Sequence, residues 1–247
     1  MDQGVDVGLF QEAVAFSAVR ESDRVLDQFE QGLRRLGASH ILMTGLPLPR
    51  RSVTKLILRI VWPDRRNGGH VIDVGSSDPL LGWCLASRNP FVVESGRVEV
   101  ALPGVAIGAA GPVVSELLYA AGGGDARLVA VPIHDLHPYQ GCVILSGRGL
   151  KTDAASLAAL GYYCLRAFSA LITLGRIESQ RPGDLSERER HVLQLTAIGK
   201  TAAEIADLLS ISQRTVHAHL QNASDKMNAS NKTHTVVEAL RYGQIDL

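Results

Sequence analysis

The sequence of 247 residues predicts an α/β/α sandwich of the α+β class over residues 1–176 and an all-α, four-helix helix-turn-helix domain over residues 185–247. Three observations predict it. Helical and strand-like segments alternate up to residue 174, ending in one long apolar helix. Arg181-Pro182-Gly183-Asp184 then breaks the pattern and places a linker at 177–184. Beyond it, two capping boxes and a short connection mark a small bundle of helices.

The elements of the first part follow in order. A helical pattern covers about residues 7–36, as one helix or as two broken near Ser22. Residues 40–48 and 56–62 read as strands, with a turn around Pro47 and Pro49. Residues 91–93 and 98–100 are short extended segments, and 113–121 reads as helix. Residues 128–133 and 142–145 form a hairpin around HDLHPYQG, in which Pro138 and Gly141 are turn residues. In residues 153–174, Leu157, Leu160, Cys164, Phe168, Leu171 and Leu174 recur every three or four positions, as a packed helix requires. The glycine-rich stretches 108–111 and 121–125 are loops.

The second part carries its start signals explicitly. Ser186 with Glu189 and Thr201 with Glu204 have capping-box spacing, while Ser212 and Ser230 stand where two further N-caps belong. Gly199 sits where the first helix must stop. The helices are expected at about 187–198, 202–209, 213–227 and 231–242. Leu209-Ser210-Ile211-Ser212 joins the second to the third, a helix-turn-helix connection.

That third helix has two faces. Val216, Leu220, Ala223 and Met227 form a core stripe, and Arg214, His217, Ala218, Gln221 and Asp225 recur opposite it. Gln pairs with adenine, His donates to guanine and an Ala methyl meets a thymine methyl, so this face suits a major groove. Lys200, Thr201, Ser212, Thr215, Lys226 and Lys232 lie at helix ends or flanks, where phosphate contacts arise. His219, beside the core stripe, reads equally as a packed histidine or a phosphate contact.

Composition narrows the function class. The chain is 46% hydrophobic and 20% charged, with no run approaching the roughly 18 uninterrupted apolar residues of a membrane span. Its start lacks the basic and apolar regions of a signal peptide, and Cys84, Cys142 and Cys164 are widely spaced, so a reducing cytoplasm is expected. No phosphate-binding loop, zinc-protease or nucleophile-elbow motif occurs, so no catalytic residue, cofactor or metal is assigned. His134, Asp135 and His137 fall in the hairpin turn without further ligands near them. From Arg181 onward eight Lys and Arg balance eight Asp and Glu. Such a domain gains little from counterion release, so two copies on one roughly two-fold DNA site are expected.

The run L-S-x-R-E-x-x-V-L from Leu185, followed by G-K-x-x-x-E-I-A-x-x-L-x-I-S-x-R-T-V-x-x-H-L-x-N-x-x-x-K-M, resembles the LuxR-type helix-turn-helix. The resemblance implies a transcription regulator that binds double-stranded DNA as a dimer. Its base-reading positions fall on His217, Ala218 and Gln221, with Gln213 and Arg214 opening the same helix. It admits a homodimer or a heterodimer with a paralogue, and RNA polymerase as a further partner. No paired acidic residues end an opening strand, so a phospho-acceptor domain is not expected.

Upstream, TGLPLP (44–49), WP (62–63), Asp78-Pro79, NPFVVE (89–94) and VPIHD (131–135) resemble the autoinducer-binding domain of LuxR-type quorum-sensing regulators. In that family the Asp before Pro accepts a hydrogen bond from the amide of an acyl-homoserine lactone, a role that falls on Asp78. Asp78 equally suits capping a helix that opens at Pro79, and both readings can hold. The family's Trp and Tyr between WP and Asp-Pro are missing from DRRNGGHVIDVGSS (64–77). Arg65 or Arg66 takes the Trp position and Gly69 or His70 the Tyr position, Val93 replaces a ligand-covering Trp, and Leu128 replaces a Gly. Trp62, Trp83, Cys84 and Ser146 line a cavity or belong to the core.

Three outcomes stay open: another ligand that Arg66 or His70 can pair with, no ligand, or a lactone held by substituted contacts. The expectation is a LuxR-type regulator, an orphan toward ordinary acyl-homoserine lactones. The alternatives are a lactone-responsive receptor, or a metabolite-binding protein or enzyme with a helical appendage.

Overall fold

A computed structural model describes residues 4–47, 56–61, 79–94, 97–98, 126–136, 139–177 and 184–247. They form two compact units, one from the amino-terminal part and one built essentially from Ser179–Leu247. The helix expected at 113–121, the glycine-rich loops, most of the linker, and the candidate ligand residues Trp62, Arg66, His70 and Asp78 lie outside the described residues.

The first helical segment is two helices, α1 (Gly4–Ala15) and α2 (Ser22–Arg35), separated by a 3-10 turn at Phe16–Ala18. β1 (His40–Gly45) and β2 (Ile57–Val61) follow. α3 (Pro79–Ala86) opens at a proline, which lacks the N–H that a first helical residue could not use. Next come β3 (Phe91–Glu94), β4 (Arg97–Val98), β5 (Arg127–Leu136), β6 (Tyr139–Gly147) and α4 (Ala154–Thr173). The Asp153 carboxylate caps α4 by accepting from Ser156 N at 3.0 Å.

The strands form one sheet in the order β2-β1-β6-β5-β3-β4. β1 pairs antiparallel with both β2 and β6, its register running from His40↔Ser146 to Gly45↔Gly141. β3 pairs antiparallel with β4 and β5. The hairpin is longer than expected: β5 runs through His134 and Asp135 to Leu136, and β6 starts at Tyr139, so most of HDLHPYQG is strand. At its far end β1 holds the segment extended: Leu46 N donates to Gln140 O at 2.9 Å. Gly141, expected as a turn residue, pairs with Gly45 instead.

Alternation along the strands divides the core. On one face α4 packs against β5 and is itself covered by α1 and α2. Phe16, Phe29 and Tyr163 meet there with ring centroids 5.1–6.4 Å apart, and the Tyr163 hydroxyl donates to Gln28 O at 3.1 Å. A Cβ on Gly32 would collide with that hydroxyl, so the α2–α4 approach requires glycine. α4 is apolar and long enough to cross a membrane by composition, yet it buries Leu160, Tyr163, Cys164, Phe168 and Leu171 in this layer.

On the opposite face Leu42, Leu46, Phe91, Val93, Leu128, Ala130, Cys142 and Ile144 join Leu80, Leu81, Trp83 and Cys84 of α3 in one apolar cluster. His134 Nε2 lies 2.9 Å from Cys84 O and 3.0 Å from Ser87 O. Both are acceptors, so this nitrogen carries the proton and donates to Cys84 O in the last turn of α3 and to Ser87 O just beyond it.

The second unit contains α5 (Glu187–Ala197), α6 (Ala202–Leu209), α7 (Gln213–Met227) and α8 (Lys232–Arg241). Val192, Ile205, Ala206 and Val216 form its buried centre, with Leu195, Ala202, Leu209, Ile211 and Leu220 packed around them.

Candidate nucleic-acid interface

Local hydrogen bonds fix each helix of the second unit. Ser186 Oγ accepts from Glu189 N at 3.3 Å while Glu189 Oε2 accepts from Ser186 N at 2.7 Å. Thr201 and Glu204 repeat the arrangement at 3.3 and 2.8 Å. α5 ends with Gly199 at φ +89° and a Lys200 N to Leu195 O bond of 3.0 Å, the 6→1 bond of a Schellman motif.

The turn after α6 uses the same device without glycine. Ser210 takes φ 52° and Ile211 N donates to Ala206 O at 3.0 Å. Ser212 then caps α7 by accepting from Thr215 N at 3.0 Å. α6 and α7 are thus joined by a tight turn that carries Ile211 into the shared core. The cap of α8 differs from the expectation. Asn231 accepts from His234 N at 2.9 Å, and Ser230 Oγ lies 3.2 Å from His234 Nδ1 instead. Ser and Asn cap comparably well, so position along the chain, not residue type, made the choice.

α7 buries Val216, Ala223 and Met227 and half-buries Leu220 and His219. Gln213, Arg214, His217, Ala218, Gln221 and Asp225 are exposed. Gln221 Nε2 donates to Asp225 Oδ1 at 2.9 Å across one helical turn.

Around this face, Lys200 Nζ pairs with Glu204 Oε1 at 3.3 Å, both side chains well exposed. Thr201, Ser212 and Lys232 are exposed, and Ser212 and Thr215 share a hydroxyl bond of 2.8 Å. Lys226 behaves differently. Its Nζ donates to Glu189 Oε2 at 2.8 Å and to Asp184 O at 3.1 Å. The Glu189 side chain is 6% exposed. Burial pushes its carboxyl up, but the Lys226 ammonium and the Ser186 N–H outweigh this and hold it below the ordinary carboxylate range. The sequence places Lys226 on the flank of α7, but the inward bond to Glu189, 37 positions away, has no signal in local spacing.

Of the candidate ligand residues that are described, Trp83, Cys84 and Val93 sit together in the apolar cluster under α3. Ser146 is fully buried on β6, opposite His40. Burial holds the His40 imidazole below its ordinary pKa. Among the described residues no group of three His, Cys, Asp or Glu side chains could hold a metal ion.

Comparison with known proteins adds four findings. Residues 184–239 match the profile described as bacterial regulatory proteins, luxR family. The chain is 30% identical over 227 residues to the transcriptional activator protein BjaR1 of Bradyrhizobium diazoefficiens, covering 90% of each. It is 29% identical over 229 residues to the quorum sensing-dependent regulator RpaR of Rhodopseudomonas palustris, covering 92% of this chain and 90% of the relative. In fold it is similar to crystalline SdiA of Escherichia coli, with a TM-score of 0.50 and 21% identity over 98% of this chain and 99% of the other.

Proposed function

The chain belongs to the LuxR-type family of transcription regulators, and from that premise we propose that its second unit reads double-stranded DNA of approximate two-fold symmetry, two copies to a site. The observation that carries this is the two-sided α7. Its apolar side is committed to Val216, Ala223 and Met227, and its exposed side offers Gln213, Arg214, His217, Ala218 and Gln221 to base edges. Lys200, Thr201, Ser212, Thr215 and Lys232 are assigned to phosphates. Lys226 is assigned to holding α7 against α5.

The dimer follows from charge and from α8. A charge-neutral unit binds a polyanion weakly by itself. Val237 and Leu240 of α8 are 53% and 37% exposed, apolar side chains one turn apart that a second copy would cover. The partner is a second copy or a paralogue, RNA polymerase is a further partner, and the compartment is the cytoplasm. A mobility shift on duplexes carrying one or two half-sites tests the reading. Binding should need both half-sites, and Val237→Glu should weaken it without altering the base preferred at each position.

For the first unit we propose a sensing and dimerisation body that does not answer to ordinary acyl-homoserine lactones. The support is the stretch 64–77, which lacks an aromatic pair, and Val93 where the family has a Trp. Trp83, Cys84 and Val93 then serve as packing residues. The melting temperature with added acyl-homoserine lactones tests this. A tight ligand at a hundredfold excess over Kd stabilises by about 2.7 kcal/mol, and no shift is the expected result.

A further inference from the structure

An acidic side chain on a face meant for a polyanion needs a reason, because it opposes phosphate attraction. Asp225 is such a group, exposed on α7 one turn beyond Gln221. Its Oδ1 takes the Gln221 Nε2 hydrogen at 2.9 Å. Resting on the reading that α7 enters a major groove, we propose that Asp225 sets base specificity by fixing the polarity of the Gln221 amide. It disfavours guanine as the base that Gln221 contacts and admits there a base with an amino donor, adenine or cytosine.

A free glutamine amide is reversible: turned by half a rotation, it exchanges its oxygen and nitrogen ends. It can then meet adenine with one acceptor and one donor, or guanine with its N–H groups. A carboxylate only accepts, so the nitrogen end of Gln221 must face Asp225. The amide then presents Oε1 and at most one N–H outward. Guanine shows only the acceptors N7 and O6 in the major groove. Against a fixed Oε1 and the nearby carboxylate it finds like partial charges and at most one N–H, where its two acceptors call for two donors. Adenine N6 and cytosine N4 each supply the hydrogen that Oε1 accepts. Asp225 is therefore a positioning residue, acting on the base through Gln221.

Selection of sites from a randomised duplex pool by the full-length chain tests the assignment. Gln221→Ala identifies the base pair concerned, as the one whose preference it alters. On the strand that Gln221 contacts, the unsubstituted chain should reject guanine at that position. Asp225→Ala and Asp225→Asn should reduce the rejection by at least about fivefold, the lower end of what one well-formed base contact supplies. Asn is reversible itself and cannot hold the polarity. Asp225→Glu, still acceptor-only, should keep the rejection. In the Gln221→Ala background, Asp225→Ala should change nothing further at that pair. An unchanged preference in Asp225→Ala, or a change that persists without Gln221, overturns the assignment while leaving DNA recognition intact. If the unsubstituted chain selects no sequence at all, the reading of α7 falls, and this assignment with it.

Discussion

Lys226 near the end of α7 donates to Glu189 in the first turn of α5 at 2.8 Å, and the same carboxylate closes the capping box with Ser186. One buried oxygen thus serves both the start of the bundle and the seating of its most exposed helix. Lys226→Met removes the cation and leaves that oxygen with the Ser186 N–H alone. Unfolding should become easier by about 1.5–3 kcal/mol, the usual worth of a hydrogen bond to a charged group. The dependence of DNA affinity on salt should keep its slope. Lys200→Ala and Lys232→Ala should do the reverse, each lowering the slope by about 1 with little effect on denaturant midpoint.

The same pair predicts an acid limb. Glu189 is held below its ordinary value of 4.5 in the folded chain. A depressed carboxyl contributes stability that is present above the unfolded pKa and lost as pH falls through the folded one. Denaturant midpoints measured from pH 7 down to pH 3 should therefore fall below about pH 4.5. Glu189→Gln should start lower at pH 7 and show a shallower decline.

On the DNA side, His217→Ala and Gln221→Ala should each relax preference at one base pair by about 1–3 kcal/mol. Competition titrations with single-base variants of the selected site would read this out. If both variants keep the parental preferences, α7 is turned differently in the groove.

Backbone conformation gives a pair of opposite effects. Gly199 has φ +89° with nothing within 4 Å of where a Cβ would stand, so Gly199→Ala meets only backbone strain, about 1–2 kcal/mol. Ser210 already carries that strain at φ 52°. Ser210→Gly should release part of it and stabilise by about a few tenths of a kcal/mol, net of the greater freedom of glycine in the unfolded chain. Thermal unfolding of the two variants should move in opposite directions.

The parts legible in the sequence were those decided within a few residues. Both capping boxes, Gly199, the turn at 209–212 and the two faces of α7 depend on contacts three or four positions apart, and each formed as read. Sequence spacing fails where a distant partner decides. Gln140 and Gly141 read as turn residues until β1 pairs beside them, and the Lys226–Glu189 bond leaves no trace in local spacing. His134 looked like a loop residue. It is a strand residue whose ring closes the end of α3, fifty positions earlier in the chain.

The pairing of His40 with Ser146 also sets a schedule for synthesis. A ribosome adding about 5–20 residues per second exposes β1 roughly 5–20 s before β6 exists. During that wait Ile41, Leu42 and Met43, fully buried in the finished sheet, have no strand beyond β2 to shelter them. The helices after Leu185 have no such delay, since their caps and turns close over neighbours just made. The nascent chain is therefore most prone to aggregate in its first half, and a holdase acting there should raise soluble yield more than one acting on the finished tail.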